Sequence, residues 1–567
     1  MKAPFLCFIV IVKSINNALA IAGILGRRQN SVQKNNMKYH SVLTLALVAS
    51  LMIGGVDAKA GEGSYDLVVY GDSSGAVTAA VAGKRRGLSV ILVNPTGFLG
   101  GMSASGLGAT DFLGKRNTFG GITSEFYDAI ASAYGQKFVR SFEPHVGRSV
   151  FDKLVADAQV LVVFNEKLDR KSGLEMDGKQ IRSITTLSGK TFFGKMFIDA
   201  TYVGDLMAAA GVSYTVGREA ESKYDEDLAG VRRGDSNPRK HYTQGDKDHF
   251  IKDVDPYIIP GDAGSGLLPY VFKIDGLRNG QGDKKIQAYN YRVCLTTDPK
   301  LFIPIDKPSG YREIDHELLM RNFEAGDHRL PALIEPLAGT GAKVDWNSKD
   351  AVGSDYGGAN WEYPEASYAR RREIERAHET YIRGFFWTLS NSPRVPESIR
   401  NQVSRYGLPK DEFTDNGGWP YMIYIREARR MVSDYVMTQA DCEGKRSARD
   451  PVGLGSFGMD SHVVQYYVDE KGHARRDGTI WRVPPKPYGI SYRSIIPGKG
   501  ECENLFVPVC LSASHVAHGS IRMEPVFMVL GECAARAAGM AITDGVAVQE
   551  LDYGGLKAQL LKDGQKL

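Results

Sequence analysis

Cysteine is scarce in this sequence, and its spacing argues against a metal centre. Only 6 of the 567 residues are cysteine, with no C-x-x-C pair and no His/Cys cluster at ligand spacing. Zinc and iron–sulfur sites need such clusters, so no metal site is expected. Cys502 and Cys510 are near enough in sequence to pair, but a disulfide also needs a geometry that the sequence does not give.

Strong net charge and long apolar runs are also missing. Lys and Arg total 70 and Asp and Glu total 66, which leaves a formal charge of +4. That excess is too small for a chain of this length to indicate nucleic-acid binding. The apolar runs at residues 5–12 and 42–53 are shorter than the ~20 residues that span a bilayer. With 43% hydrophobic and 24% charged residues, the composition is typical of a globular protein.

A targeting segment is predicted for residues 1–60. It has a basic start at Met37, an apolar core at 42–53 and a small-x-small pattern that ends at Ala60. We therefore expect synthesis from Met37, cleavage after Ala60, and export to the periplasm or the medium, with no stable membrane span afterwards. An uncleaved N-terminal anchor and twin-arginine export through the Arg pair at 27–28 stay open.

Glycine is abundant, with 63 residues, and the first folded segment uses it in the pattern of a nucleotide-binding unit. Residues 65–70 and 89–93 are apolar runs typical of buried parallel strands. A tight turn at 71–75 and a helix at 76–86 connect them, and a stripe of small residues lets the helix lie close to the sheet. Such a turn aims the free N–H groups of the helix at a pyrophosphate.

The match to the G-x-G-x-x-G fingerprint is imperfect, because its three glycine positions hold Tyr70, Asp72 and Gly75. A carboxylate ~5 Å from a phosphate would be repelled by about 3 kcal/mol at an effective dielectric constant of ~20. Asp72 could instead turn away and cap the helix, since Asp is a favoured N-cap. Asn94 stands where an acidic residue ordinarily binds a ribose. Alone, this segment is also compatible with an ordinary α/β crossover.

Three further segments complete a recognisable order. A loop containing Gly100-Gly101-Met102 follows the second strand, and residues 196–205 are a strand that runs into a small-residue turn. Near the C-terminus, a strand at 504–509 leads into a His-rich turn, and a helix rich in small residues follows at 526–542. Glycines this dense let a backbone approach a flat cofactor closely.

In this order the segments resemble the FAD-dependent oxidoreductase family of the glutathione-reductase-like superfamily, and in particular its exported bacterial branch. They are distantly similar to the flavoproteins of fumarate reductases. The resemblance covers about residues 65–543. It implies an α/β fold in which residues 61–211 and 483–567 form a three-layer, Rossmann-like FAD domain, and residues 212–482 form a large inserted α+β substrate domain.

The resemblance also implies the cofactor contacts. In that family the first turn holds the FAD pyrophosphate, the Gly-Gly-Met loop runs beside the cofactor, and the Ala-Thr-x-x-Gly-Asp strand end supports the site. The C-terminal strand and helix close over the flavin. The residues so assigned are Gly71, Ser73, Ser74, Gly75, Asn94, Gly100, Gly101, Met102, Thr201, Gly204, Asp205 and Ser512.

The substrate region offers less specific patterns. Residues 366–389 and 425–439 are both predicted to be helices. The arginine run at 370–372 is predicted to face solvent, and Arg429 is a candidate to enter the site. Aromatic and amide side chains in the loop at 355–361 suit a polar, hydroxyl-rich ligand, or pack as an ordinary surface loop.

Candidate reacting residues concentrate late in the sequence. Flavin chemistry needs a group that manages the substrate proton and a cation or dipole that stabilises developing charge. The planar, permanently charged fork of arginine suits an oxyanion. His462 has Asp460 nearby as a possible orienter. The candidates are His515, Arg522, His518, Arg493, His462 and Tyr492, and each could instead be a buried structural residue.

Three functional hypotheses follow. The first is an exported enzyme that oxidises a polar small molecule, of the sugar, polyol or hydroxy-acid class, by hydride transfer to the N5 atom of FAD. The second is a non-redox lyase or isomerase on the same fold. The third is a degenerate, non-catalytic binding protein, suggested by Asp72 and Asn94. The sequence specifies neither the substrate nor the electron acceptor.

Overall fold

The computed structural model describes residues 63–111, 116–233, 250–273, 278–339 and 341–567. The predicted targeting segment, with its start at Met37 and its cleavage site, lies outside the described residues. From Gly61 to Leu567 the chain packs as one compact unit.

Helices and strands occur throughout the described residues, and most strands in the middle of the chain are short. The strands are β1 (Ser64–Tyr70), β2 (Val90–Val93), β3 (Leu161–Val163), β4 (Leu174–Asp177), β5 (Gln180–Thr185), β6 (Thr191–Asp199), β7 (Tyr214–Thr215), β8 (Val271–Lys273), β9 (Val293–Thr296), β10 (Phe302–Ile303), β11 (Ala332–Pro336), β12 (Lys343–Ser348), β13 (Leu408–Pro409), β14 (Arg430–Met431), β15 (Pro451–Gly455), β16 (Met459–Ser461), β17 (Gln465–Val468), β18 (Ala474–Asp477), β19 (Ile480–Arg482), β20 (Tyr488–Ser491) and β21 (Leu505–Phe506). The α-helices are α1 (Ser74–Arg85), α2 (Gly121–Ala133), α3 (Pro144–Asp157), α4 (Asp205–Ala209), α5 (Glu221–Tyr224), α6 (Glu317–Glu324), α7 (Tyr368–Asn391), α8 (Glu397–Val403), α9 (Gln439–Cys442), α10 (His515–Ile521), α11 (Glu524–Asp544) and α12 (Tyr553–Lys562).

A seven-stranded mixed sheet joins the two ends of the chain. Its strand order is β3-β2-β1-β6-β5-β4, and β21 also pairs with β6. β1 is parallel to both neighbours, with Tyr70 opposite Val93 and Asp199. β21 is parallel to β6, with Phe506 opposite Ile198. The chain therefore leaves β1 and β21 at the same edge of the sheet, as the sequence predicted for the turns that begin at Gly71 and lead to His515.

Both faces of the sheet are buried at its central strands, which confirms the predicted α/β fold. α1 and α11 pack against each other and against β1 and β6 on one face. The other face belongs to a separate apolar cluster that includes Val68, Phe197 and Leu206. Among the described residues, α11 has the length and composition that could cross a membrane, but 78% of its apolar window is buried inside the protein.

The middle of the chain forms small sheets of two or three strands, with α7 as its longest helix. α7 confirms the helix predicted at 366–389. The helix predicted at 425–439 is wrong, because this segment forms hydrogen bonds with other parts of the chain instead of with itself. Met431 N donates to Cys510 O and Met437 N donates to Ser512 O. β15 and β20 lie on opposite sides of the predicted boundary at residue 482, and they pair with each other. The domain boundaries at 211 and 482 stay a prediction.

Candidate active site

The segments predicted to hold the cofactor converge at the carboxyl edge of the main sheet. Gly100 and Gly101 have left-handed backbone angles, with φ of 89° and 54°. A Cβ on Gly101 would lie 2.2 Å from Tyr202 Oη and 2.9 Å from Ser73 Cα. Met102 N donates to Tyr202 Oη at 3.0 Å. Only glycine fits at position 101, because the first turn, the Gly-Gly-Met loop and the turn after β6 lie so close together.

Ser73, and not Asp72, caps α1. The Ser73 hydroxyl accepts from Ala76 N at 3.2 Å and donates to Ala200 O at 2.6 Å. Ser73 occupies the N-cap position, so the cap predicted for Asp72 is wrong. Ser74 donates to Glu524 O, which links the first turn to the start of α11.

Asp72 instead faces a cavity. One of its carboxyl oxygens is buried without a hydrogen-bond partner. Burial raises the pKa of Asp72 to about 7, and the nearby carboxyls of Asp199, Asp205 and Glu524 contribute to that rise. The charged form of Asp72 is therefore poorly accommodated at this turn.

The cavity runs along the ends of β1, β2 and β3. It measures about 380 Å³, and a smaller space of about 100 Å³ adjoins it and shares Asp72, Thr96 and Lys167 as lining residues. Asn165 and Arg148 also line the larger space. A helix N-terminus, hydroxyl and amide groups and two cations suit an elongated dinucleotide with an anionic centre. FAD therefore fits these residues, with the carboxyl groups of Asp72, Glu375 and Asp415 as the opposing charges.

Asn94 is turned away from this cavity. Its amide donates to Phe98 O at 2.8 Å and accepts from Thr96 N at 2.7 Å, which holds the loop after β2 together. The side chain is 1% exposed. Thr96 and Asn165 are the uncharged polar side chains that line the cavity at this end.

Asp205, at the start of α4, gathers three arginines. Arg371 donates to it twice, at 2.6 and 2.9 Å, Arg429 once at 2.9 Å, and Arg170 once at 3.1 Å. Burial alone would raise the pKa of Asp205, but the guanidinium groups lower it to about 2. Arg371 is thus buried, whereas Arg370 and Arg372 are exposed, so the solvated face predicted for 370–372 is wrong only at Arg371. Arg429 also pairs with Glu365.

The C-terminal segment adjoins the turn after β6. A Cβ on Gly204, whose φ is 68°, would lie 3.3 Å from Cys510 Cβ, and Cys510 Sγ lies 3.5 Å from Thr201 O. Ser512 accepts from Ser433 N at 3.0 Å. Cys502 and Cys510 are both free thiols, so the disulfide considered from their spacing is not formed.

His515, the first residue of α10, is held in one orientation by a glutamate. Its Nδ1 lies 2.8 Å from Glu427 Oε2, and its Nε2 is buried without a hydrogen-bond partner. Glu427 is fixed in turn by ion pairing with Arg430 and by Gln287 Nε2 at 3.2 Å. With Nδ1 donating to the carboxylate, Nε2 carries a lone pair that can take a proton.

A chain of buried polar contacts lies beside this pair. Arg522 donates to Tyr424 Oη and to Asp460 Oδ2, both at 2.9 Å. His462 contacts Asp460 through Nε2 at 3.3 Å and Asp355 through Nδ1 at 2.7 Å. Arg426 lies 3.0 Å from Asp355 and covers the Tyr424 ring. We call the connected set the Tyr424 belt; its members are Tyr424, Arg522, Asp460, His462, Asp355 and Arg426.

The belt and His515 are neighbours. Gln287 accepts from His462 N at 3.2 Å while its amide donates to Glu427. His518 is electrostatically coupled to Glu427, His515 and Arg522, and burial lowers its pKa to about 3, so its imidazole is neutral. The structure therefore brings together four of the predicted reacting residues: His515, His518, Arg522 and His462.

Tyr492 and Arg493 make their contacts elsewhere. Tyr492 donates to Val548 O at 2.7 Å. Arg493 pairs with Asp450 at 2.9 Å, and its side chain is 44% exposed. Both residues follow β20 in a short 3₁₀ helix that turns them towards these partners and not towards the Tyr424 belt.

Several residues of this site were not singled out from the sequence. Glu427, Gln287 and Tyr424 lie in segments whose local pattern carries no catalytic signature. The loop at 355–361 was singled out, and it is a packed interior loop: Asp355 joins the belt and Asn360 donates to Gln287 O at 2.9 Å. Glu427 is 88 positions away from His515 in the sequence, so only the fold shows that it is the carboxylate partner.

Among the residues that the structure describes, one group of side chains has the spacing of metal ligands: Glu143, His145 and Glu412. The Lys343 ammonium lies among them, 2.7 Å from Glu143 and 2.9 Å from Glu412, with Asp411 at 2.8 Å. His145 Nδ1 is 2.6 Å from Glu412. The ammonium already supplies the positive charge that a cation would bring, so the group is an ion-pair cluster.

Comparison with known proteins identifies the family. The sequence model described as FAD dependent oxidoreductase matches residues 66–560. The chain belongs to this family. It is accordingly an oxidoreductase with FAD as its cofactor, and the predicted resemblance is confirmed. No curated protein matches the sequence.

Comparison with solved structures gives matches of low overall similarity. OxyS anhydrotetracycline hydroxylase from Streptomyces rimosus is 10% identical over 28% of this chain and 38% of that chain, with a TM-score of 0.21. NikD, an amino acid oxidase essential for nikkomycin biosynthesis, is 14% identical over 28% and 57%, with a TM-score of 0.21. A flavin-containing monooxygenase from Stenotrophomonas maltophilia is 14% identical over 28% and 43%, with a TM-score of 0.19. The match spans less than two thirds of each of these chains.

Proposed function

We propose that this FAD-dependent oxidoreductase oxidises a hydroxyl group of a polar small molecule, a sugar, polyol or hydroxy acid, with His515 as the general base. The observation that carries the proposal is the His515 imidazole. It is buried, Glu427 fixes its Nδ1, and its Nε2 has no partner. It follows β21, which runs parallel to β6 as β1 does, so the chain leaves both strands at the same edge of the sheet. A base in this state is what the oxidation of an alcohol requires.

The chemistry divides between the cofactor and the chain. FAD, when bound, supplies the acceptor for the hydride that leaves the carbinol carbon. His515 Nε2 takes the hydroxyl proton, so the C–O single bond becomes a carbonyl as the C–H bond breaks. Glu427 holds the tautomer and stabilises the imidazolium that forms, and Arg522 offers a fixed positive charge near the oxygen that develops negative charge.

The surroundings suit such a step because they exclude water. His515, His518 and Arg522 are 1%, 4% and 4% exposed. Electrostatic interactions are stronger in such a site than in water. The neutral His518 beside His515 adds no positive charge that would oppose protonation of the base.

The test is the rate of flavin reduction in rapid mixing under anaerobic conditions, with sugars, polyols and hydroxy acids as reductants. Bleaching of the flavin absorbance by one of these classes is the expected result. Glu427→Gln should slow bleaching by about 10²- to 10⁴-fold, the usual contribution of a positioned base, because the imidazole loses its orientation. His515→Ala should slow it at least as much, with FAD content unchanged.

His145→Ala is the matched control, since His145 also contacts a glutamate but lies 47% exposed outside the Tyr424 belt. It should bleach at the wild-type rate. A His515→Ala variant that reduces its flavin as fast as the wild type would remove the base from the mechanism. Turnover of a substrate without any change in flavin absorbance would instead favour lyase or isomerase chemistry.

A further inference from the structure

The Tyr424 belt carries charge in matched pairs. Arg522 has Asp460 at 2.9 Å, and Arg426 has Asp355 at 3.0 Å. Arg292, which acts electrostatically on Tyr424, has Asp345 as its bound partner. Every arginine that surrounds Tyr424 in the described structure thus already has a carboxylate.

Further carboxyl groups face the same place. His462 lies between Asp355 and Asp460, so its ring is shared by two carboxylates. Asp111 is coupled to both Arg292 and Arg522. A substrate carboxylate entering here would meet these acidic groups without a surplus cation to balance it.

Unlike the charges, several buried hydrogen-bonding atoms of the site have no partner. The Nε atoms of Arg426 and Arg522 are buried donors without a hydrogen-bond partner. Asn290 is fully buried, and neither its amide nitrogen nor its amide oxygen has a partner, although its backbone pairs with Tyr424. Asp355 Oδ1 lies near Arg426 but is not aligned for a hydrogen bond.

The buried atoms without a hydrogen-bond partner therefore include both donors and acceptors. A hydroxyl group donates and accepts at once, whereas a carboxylate only accepts. Several hydroxyls on one molecule would satisfy both kinds of atom, and buried polar groups left unpaired are unfavourable. A carboxylate would leave the acceptors of Asn290 and Asp355 unpaired.

Because the arginines are already paired with carboxylates while donors and acceptors lack partners, we infer that the belt recognises a neutral, polyhydroxylated molecule, a sugar or a polyol. It discriminates against hydroxy acids. The inference rests on the proposed function, because it assigns the substrate class of the site that His515 serves. Asn290, Arg426 and Arg522 become the residues that bind its hydroxyls, with Tyr424 between the two guanidinium groups.

The experiment compares matched pairs: glycerol with glycerate, and glucose with gluconate. The holoenzyme is mixed with each compound at pH 7, and both flavin bleaching and the shift in melting temperature are followed as concentration rises. The neutral member should act at a concentration at least about tenfold lower than its acid, the effect of one lost or opposed polar contact. An acid that acts at an equal or lower concentration overturns the inference and leaves the proposed oxidation standing.

The remaining outcomes separate the two claims. Neutral members that raise the melting temperature without bleaching uphold the recognition and refute the oxidation. Compounds of both classes that neither bleach nor stabilise refute both. Acids that bleach while the neutral members only stabilise also overturn the discrimination.

A charge-changing variant tests the reasoning itself. Asp460→Asn leaves Arg522 without its carboxylate, so the preference should move towards the acid member by about tenfold. Asp450→Asn is the matched control, because Asp450 also neutralises an arginine, Arg493, outside the belt. It should leave the preference unchanged. An Asp460→Asn enzyme that keeps the wild-type preference would show that the belt does not discriminate by charge.

Discussion

Replacement of Asp72 tests the cofactor site most directly. Its carboxyl lines the cavity at the start of α1, one oxygen is buried without a partner, and burial raises its pKa to about 7. Because Ser73 caps α1, a substitution at Asp72 leaves the cap intact. Asp72→Asn keeps the shape of the side chain and removes the charge.

The size of the effect follows from two competing responses to the cofactor. An ionised Asp72 ~5 Å from a phosphate would be repelled by about 3 kcal/mol at an effective dielectric constant of ~20. Taking up a proton instead costs ~1.4 kcal/mol for each pH unit above the pKa. Protonation is the smaller penalty up to roughly two units above pH 7. FAD affinity should therefore be constant below about pH 6, fall about tenfold per unit above pH 7, and level off near a hundredfold loss.

The assay is titration of apoprotein with FAD between pH 6 and pH 9, followed by flavin fluorescence. Asp72→Asn should match the wild type at pH 6 and bind FAD about a hundredfold more tightly at pH 9. Burial also raises the pKa of Glu524 to about 7, so Glu524→Gln is the companion variant that removes its share of the pH dependence. Equal pH dependence in wild type and Asp72→Asn would refute the reasoning. Weaker binding by Asp72→Asn would mean that the carboxyl contacts the cofactor favourably.

Three other predictions follow from charges and from the N-terminus. Burial raises the pKa of Glu532 to about 7, above its value in the unfolded chain. The stability linked to its protonation is therefore present at low pH and lost as the pH rises towards 7. The melting temperature of Glu532→Gln should exceed that of the wild type increasingly between pH 5 and pH 8, and a constant difference would contradict this. Asp205→Asn should lower the free energy of unfolding by about 3 kcal/mol at pH 7, measured in urea, because Arg371 and Arg429 lose a buried partner. The difference should shrink as the pH falls from about 4, the ordinary pKa of an unfolded Asp, through the folded pKa of about 2. We also propose export, so Edman sequencing of protein from its native host should begin directly after Ala60, and a mature chain that retains residues 1–36 would refute both the cleavage and the start at Met37.

The centre of the main sheet could be predicted from the sequence because β1, β2 and the end of β6 are buried on both faces. Continuous apolar runs and punctuating glycines mark β1, β2 and β6, and the structure places each within a few residues of its predicted span. α7 was predictable for a related reason, since helical periodicity persists over 24 residues. Local sequence patterns suffice to predict a helix or a strand when its burial follows a regular apolar pattern.

The same rules failed at 425–439, for a reason that also conceals the site. This segment has helical spacing, but its arginines are buried against carboxylates from distant segments: Arg430 meets Glu219, and Arg429 meets Asp205. Its backbone pairs with the C-terminal segment. Long-range ion pairs leave no trace in local periodicity, so neither the loss of the helix nor the Glu427–His515 contact could be derived from residue types alone.

The small-residue stripe of α1 explains why motifs at opposite ends of the chain form one site. The sequence assigned this stripe to packing on the sheet, and Gly83 does meet Leu67 there. Gly75 instead meets α11: a Cβ on Gly531 would lie 2.1 Å from Gly75 O, and Thr78 donates to Met528 O at 2.7 Å across 450 positions. The two helices are in backbone contact, so a side chain at Gly531 would force α1 and α11 apart.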